Sequence, residues 1–132
     1  MLTGLNHITL TVSELDKSLA FYQDVLGFKG HVKWDKGAYL SIPGFWLCLN
    51  LGEPCAARDY SHLAFSLDEL NYQHLVTDLK KLEVSQWQKN TSEGESFYFL
   101  DPDGHKLELH LGNLETRLAS IRDTPYKDTT WL

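Results

Sequence analysis

The sequence predicts an α+β fold made of two βαβββ modules, and three observations carry that prediction. Two stretches of the chain can be laid over each other, each half runs strand, helix and then shorter strands, and the clearest strands alternate apolar with polar residues. In the overlay "NHITLTVSEL" (Asn6 to Leu15) matches "SHLAFSLDEL" (Ser61 to Leu70), "AYLSIPG" matches "FYFLDPDG", and "WLCLNLG" (Trp46 to Gly52) matches "KLELHLG" (Lys106 to Gly112). His7 thereby falls on His62, and Cys48 on Glu108.

The first strand sets Ile8 and Leu10 on one face and His7, Thr9 and Thr11 on the other. Ser13 with Asp16 reads as a capping box for a helix whose inward stripe is Leu15, Leu19, Tyr22 and Leu26, with Gly27 as its stop. Shorter strands follow, punctuated by the turn "IPG". The last of them places Leu47, Leu49 and Leu51 opposite Trp46, Cys48 and Asn50. In the second half Leu63, Phe65 and Leu67 oppose His62, Ala64 and Ser66. Asp68 caps the next helix, whose Leu75, Val76, Leu79 and Leu82 face inward. After the turn "DPDG" the closing strand sets Leu107, Leu109 and Leu111 against Lys106, Glu108 and His110. Module one is expected over about 1–52 and module two over about 59–112, with a C-terminal helix, capped by Asn113, and a tail over 113–132.

At 132 residues the chain is a single domain by size. Its 42% apolar and 23% charged content is that of an ordinary globular protein, and no apolar run approaches the ~20 residues of a membrane span. The start "MLTGLNH" lacks a basic region followed by an apolar one, which together with two unpatterned cysteines, Cys48 and Cys55, points to a reduced, cytoplasmic protein. A net charge of −6 argues against a nucleic-acid surface, so an anionic ligand must meet local positive charge.

The leucine faces have to cover the helices, which turns four polar strand faces away from them and toward a common cleft. Modules of about 55 residues cannot easily stand alone, so they pair within the chain or across a dimer. His7, His62 and Glu108 then converge on the cleft floor. Two imidazoles and one carboxylate with open positions suit a divalent transition metal that also binds substrate. Taken singly, each residue reads more readily as a hydrogen-bonded histidine or an exposed glutamate than as a ligand; the symmetry of the repeat reverses that for the three together. His110, one alternation beyond Glu108, supports a ligand or walls the cleft. Cys48 is a soft donor by chemistry and a small buried residue by its position.

With these residues the sequence resembles the vicinal oxygen chelate superfamily, and within it the fosfomycin-resistance glutathione transferases. The likeness runs from "LNHITLTVSELDKSLAFYQDVLGF" through "WDKGAYLS", "WLCL" and "DYSHLAF" to "NTSEGESFYFLDPDGHKLELHLGNL" and "RLASIRDTPY", with "SEGESFYFLDPDGHKLELH" the most specific piece. The resemblance implies a U-shaped cleft completed across a homodimer, with His7 of one chain joining His62 and Glu108 of the other around Mn(II). It implies that glutathione opens the epoxide of fosfomycin at the carbon remote from phosphorus. Thr9 and Tyr39 would take part in catalysis, Thr9 by bonding the oxirane oxygen. Trp46, Lys89, Ser92, Tyr98 and Arg117 would bind substrate, and Asn90, Ser92, Gly94 and Ser96 would form a K⁺ loop. Three positions depart from the family pattern. Gln88 stands where a lysine follows the tryptophan, Thr91 where a basic residue precedes "SEG", and Leu63 where a tyrosine follows the second histidine.

Other activities share the scaffold. A glyoxalase-type isomerase takes a fourth ligand from the position of Cys48, where no carboxylate stands. An extradiol-type dioxygenase uses the same donor set with Fe(II). A sister epoxide hydrolase needs a cleft carboxylate to activate water. A drug-sequestering module has the fold but gives no reason to group His7, His62 and Glu108.

Overall fold

The computed structural model describes residues 1–132. The first module is β1 (His7–Val12), α1 (Leu15–Ala20), β2 (Lys29–Trp34), β3 (Gly37–Ile42) and β4 (Phe45–Leu51). The second is β5 (Leu63–Ser66), α2 (Glu69–Lys81), β6 (Gln86–Gln88), β7 (Ser96–Leu100) and β8 (Lys106–His110), and α3 (Leu114–Asp123) follows. Each module forms a four-stranded sheet, in order β1-β4-β3-β2 and β5-β8-β7-β6. The first strand of each pairs parallel with the last, and the others pair antiparallel. This is the expected α+β architecture of paired βαβββ modules.

Both sheets back onto one core of 16 buried residues that includes Leu40, Leu47 and Leu49 from the first sheet and Phe99, Leu107 and Leu109 from the second. Leucines this deeply buried each contribute roughly 1.5–3 kcal/mol, enough to fix the strand parity, because a one-residue slip would exchange the two faces. The polar faces therefore point away from the core on both sheets. No helix is long and apolar enough to cross a membrane.

Asp68 caps α2, its Oδ1 accepting from the Asn71 backbone N–H at 2.8 Å. Asn113 and Thr116 make a reciprocal capping box at α3. Leu82, expected on the inward stripe of α2, is instead 57% exposed, because the helix ends at Lys81 and Leu82 lies on its C-cap. The capping box expected from Ser13 and Asp16 does not form: Glu14 is the N-cap residue of α1 and offers no side-chain bond. Ser13 is instead held by Asp103, its Oγ–H donating to Oδ1 at 2.5 Å and its backbone N–H to Oδ2 at 3.1 Å.

That aspartate belongs to the "DPDG" turn of the other module, which clamps the halves together at two further points. The Tyr22 hydroxyl donates to Asp101 Oδ2 at 2.6 Å inside the core, while Asp101 Oδ1 accepts the backbone N–H groups of Asp103 and His105, both at 2.9 Å. His105 Nε2–H donates to the Thr11 carbonyl at 2.7 Å. Burial first, and then the charge of Asp101, drives the Tyr22 phenol far above its ordinary range, so it stays a neutral donor. Tyr22 reaches this place because α1 widens into a π-helical turn over Phe21–Val25, burying two consecutive aromatic residues before Gly27, at φ 80°, reverses the chain.

Candidate metal and substrate site

Register determines which polar side chains lie in line. On the first sheet Thr9, Cys48 and Tyr39 form one row and His7, Trp46 and Ser41 the next. On the second, Ala64, Glu108 and Tyr98 form the row equivalent to the first of these, and Ser66, His110 and Ser96 form another. The overlay read from the sequence is thus repeated in the sheets, with Glu108 taking the place of Cys48 and Tyr98 that of Tyr39.

The two histidines are prepared alike. His62 Nδ1–H donates to the Tyr60 carbonyl at 2.7 Å, which leaves the lone pair on Nε2. His7 Nδ1–H donates to Asn6 Oδ1, also at 2.7 Å, and its ring stacks on Trp46 at 4.7 Å with planes 14° apart. His62 Nε2 faces Glu108 Oε2 at 2.9 Å. Two lone-pair atoms at that separation require a cation between or beside them, a proton or a metal ion. Glu108 is only 6% exposed, and its other oxygen accepts from Ser96 Oγ–H at 2.6 Å. A desolvated carboxylate with one oxygen bonded and the other aimed at an imidazole is the chemistry of a metal ligand pair. The donors fit a divalent transition ion, yet no three His, Cys, Asp or Glu side chains of one chain converge on it, since His7 lies on the other sheet.

Aromatic rings wall the His62 side. Trp87 lies 5.2 Å from His62 and 5.1 Å from Tyr98 between centroids, with its indole N–H donating to the Leu107 carbonyl at 3.0 Å. The strand register shifts between Gln86 and Gln88, a bulge that brings both Trp87 and Gln88 to this face. Gln88 Nε2–H donates to the Tyr60 hydroxyl at 2.8 Å, whereas Lys89 lies past the strand end and is exposed. Beneath the site, burial and then the carboxylates of Glu95 and Glu108 push the Tyr72 phenol above its ordinary value.

The loop after β6 closes on itself, Asn90 Nδ2–H donating to the Gly94 carbonyl at 2.7 Å and Asn90 Oδ1 accepting the Ser92 backbone N–H at 3.2 Å. Arg117 reaches over it from α3, its guanidinium 3.4 Å from Ser92 Oγ and 3.4 Å from Glu93 Oε2. Half-buried Arg117, with Ala64, Ser66 and His110, lines a groove of about 290 Å³. On the first sheet Thr9, Tyr39 and Trp46 are exposed and Cys48 is half-buried as a free thiol. The second sheet thus gathers His62, Glu108, Ser96 and Tyr98 into one site with Arg117 and Ser92 nearby, while His7, Thr9, Tyr39 and Trp46 make a separate open face. Tyr60 is no candidate in the sequence, and Trp87 enters there only as the tryptophan that precedes Gln88. The signals available were a tyrosine two residues before His62 and a lone tryptophan in the polar run "SQWQKN".

A model of the Glyoxalase/Bleomycin resistance protein/Dioxygenase superfamily matches residues 4–109. The glutathione transferase FosA of Serratia marcescens is 48% identical over 131 residues, covering 96% of this chain and 93% of that protein. The metallothiol transferase FosB of Lysinibacillus sphaericus is 39% identical over 122 residues, covering 87% of this chain and 86% of that protein. Among solved structures, a mutant of the fosfomycin resistance protein FosX from Listeria monocytogenes, in complex with Mn(II) and 1S,2S-dihydroxypropylphosphonic acid, superposes with a TM-score of 0.80. It is 33% identical, and the match covers 90% of this chain and 99% of that one. The chain belongs to the glyoxalase/bleomycin resistance protein/dioxygenase superfamily, and within it to the group that contains FosA, FosB and FosX.

Proposed function

We propose that this protein is a metal-dependent enzyme that opens the epoxide of fosfomycin with the thiol of glutathione, and that it works as a homodimer. Each site takes His7 from one copy and His62 and Glu108 from the other. The observation that carries the reading is the split donor set: His62 and Glu108 are paired at 2.9 Å on one sheet, and an equivalently prepared His7 stands on the open face of the other. A divalent ion held there, Mn(II) being the one bound in the FosX structure, supplies a Lewis acid for the epoxide oxygen.

The residues of the chain do the rest. Thr9, two positions from His7 on the same face, donates its hydroxyl to the oxirane oxygen, where charge develops as the ring opens. Trp46 stacks on the His7 ring and would wall the substrate beside it. Ser92, Tyr98 and Arg117 hold the phosphonate, with Gln88 at its edge in place of the exposed Lys89, and align the carbon remote from phosphorus for attack. Tyr39, in one row with Thr9 and Cys48, holds the incoming thiol. The carbon–sulfur bond forms as the carbon–oxygen bond breaks, and the oxygen takes up the proton released by the thiol. The loop of Asn90, Ser92, Gly94 and Ser96 is the proposed K⁺ seat, whose hydroxyl and carbonyl oxygens would hold the ion.

Glutathione is favoured by the identity to FosA and by the first sheet's open face, whose rows through Thr9, Cys48 and Tyr39 and through His7, Trp46 and Ser41 contain no carboxylate to activate water. Hydration of the epoxide is the second reading. Its support is the likeness to FosX in complex with the diol that water addition to such an epoxide gives. The test is a product assay with fosfomycin and Mn(II), supplied with glutathione, L-cysteine or water alone. A glutathione adduct formed well above the rate of the other two supports the proposal, and a diol formed equally with or without thiol refutes it.

A further inference from the structure

We propose that His110 is a positioning residue that fixes the Glu108 carboxylate for the metal through the Ser96 hydroxyl. The inference rests on the reading of Glu108 as a metal ligand. Ser96 Oγ lies 2.6 Å from Glu108 Oε1 and 2.7 Å from His110 Nδ1, whereas His110 Nδ1 itself is 3.5 Å from Oε1. A serine hydroxyl has one hydrogen, and an ionised carboxylate only accepts. The hydrogens can therefore run in one direction only: His110 Nδ1–H donates to Ser96 Oγ, and Ser96 Oγ–H donates to Oε1. With the imidazole donating, the serine hydrogen cannot turn elsewhere, Oε1 is engaged, and Oε2 is left aimed at the His62 side.

Three residues set this line. Ser96 is the cross-strand partner of His110, and Tyr98 that of Glu108, so the hydroxyl reaches diagonally along the β7–β8 ladder. The His110 ring is wedged between two glycines at positive φ. A Cβ on Gly94, at φ 76°, would lie 3.0 Å from the ring Cε1, and one on Gly112, at φ 133°, 2.9 Å from Nε2. At Gly112 the ring is the first group a side chain would meet, whereas at Gly94 the Leu111 carbonyl, at 2.3 Å, is nearer still. The side chain of His110 is 16% exposed and that of Glu108 8%, so water competes poorly for these bonds.

The experiment is an Mn(II) titration followed by electron paramagnetic resonance on the parent dimer and on Ser96→Ala, His110→Asn, His110→Phe and Ser96→Ala/His110→Phe, with folding checked by circular dichroism. The amide N–H of asparagine stands close to the place of Nδ1–H, so His110→Asn is expected to keep near-parental affinity. His110→Phe fills the space between the glycines but has no donor, and both it and Ser96→Ala should weaken binding by about tenfold or more. The double variant should be no weaker than the worse single one, because both changes break the same chain. Parental affinity in His110→Phe with loss in His110→Asn would show that the ring only packs and would overturn the role. Multiplying effects in the double variant would overturn it as well. If His110→Phe does not fold, the decision falls to Ser96→Ala, whose parental affinity would refute it. A parent that binds no Mn(II) would overturn the metal reading, and this role with it.

Discussion

If each site takes His7 from one copy and Glu108 from the other, two dead variants must rescue each other. His7→Ala keeps a sound second sheet, and Glu108→Ala keeps a sound first one, but neither homodimer holds a complete ligand set. Mixed in equal amounts and exchanged to equilibrium, about half of the dimers pair unlike chains. In such a dimer one site receives both defects and the other receives neither, so about one quarter of the parental sites return. A second mixture reads the same geometry with the opposite sign. When parent chains are mixed equally with His7→Ala/Glu108→Ala, every heterodimer site lacks one ligand, and activity per total chain falls from about one half to about one quarter. Self-contained sites leave that second value at one half and give no rescue in the first mixture. The assay is glutathione adduct formation at fixed total protein, with exchange followed by native mass spectrometry of differently tagged chains. No rescue in a mixture shown to contain heterodimers would refute a shared site.

Gln88 stands on the cleft face while Lys89 is exposed beyond the strand, so Gln88→Lys should tighten phosphonate binding by roughly 1.5–3 kcal/mol, read as a ten- to hundredfold lower KM for fosfomycin. Lys89→Ala should leave KM near the parental value. Tyr22→Phe strands a buried Asp101 oxygen and should destabilise the fold by about 1–3 kcal/mol in urea at neutral pH. Because the folded-state pKa of Tyr22 lies above its unfolded value, its contribution is present below about pH 10 and is lost as pH rises beyond that, so the variant's alkaline stability profile should be flatter than the parent's. Asp68 shows the opposite sign: the Asn71 backbone N–H holds its carboxyl below the ordinary value, so its contribution is present above about pH 4 and disappears on acidification. Asp68→Ala should show a shallower acid limb in thermal melts.

The features legible in the sequence were those with a period or a repeat. Alternation put Leu47, Leu49, Leu107 and Leu109 inward and left His7 and Thr9 on the outer face, and the overlay of the halves singled out Glu108 against Cys48. Local caps were legible when both partners lay within a turn, as at Asp68 and Asn113. Ser13 was misread because the carboxylate that bonds it is 90 residues distant, and a local rule supplied the nearer Asp16 instead. Tyr22 looked like one more apolar position, since nothing in a 3.6-residue period announces a buried aspartate partner. The place of Gln88 depends on a bulge that shifts the register, and the alternation argument assumes there is none. Similarly, the bonds from His110 through Ser96 run across two strands, where sequence spacing has no reach.

The turn at residues 101–105 also bears on how the chain is made. During synthesis the first module emerges with Ser13 not yet held by Asp103, the Tyr22 hydroxyl without Asp101 and the Thr11 carbonyl without His105. At about 5–20 residues per second, a separation of 90 residues between Ser13 and Asp103 leaves those groups waiting for roughly 5 to 20 s. Half of the shared core is missing over the same interval, so the nascent first sheet has its leucine face exposed to whatever else is nearby. A stable first module is therefore expected only once the "DPDG" turn is available, and truncations that end before His105 should be bound by chaperones rather than persist as a free half.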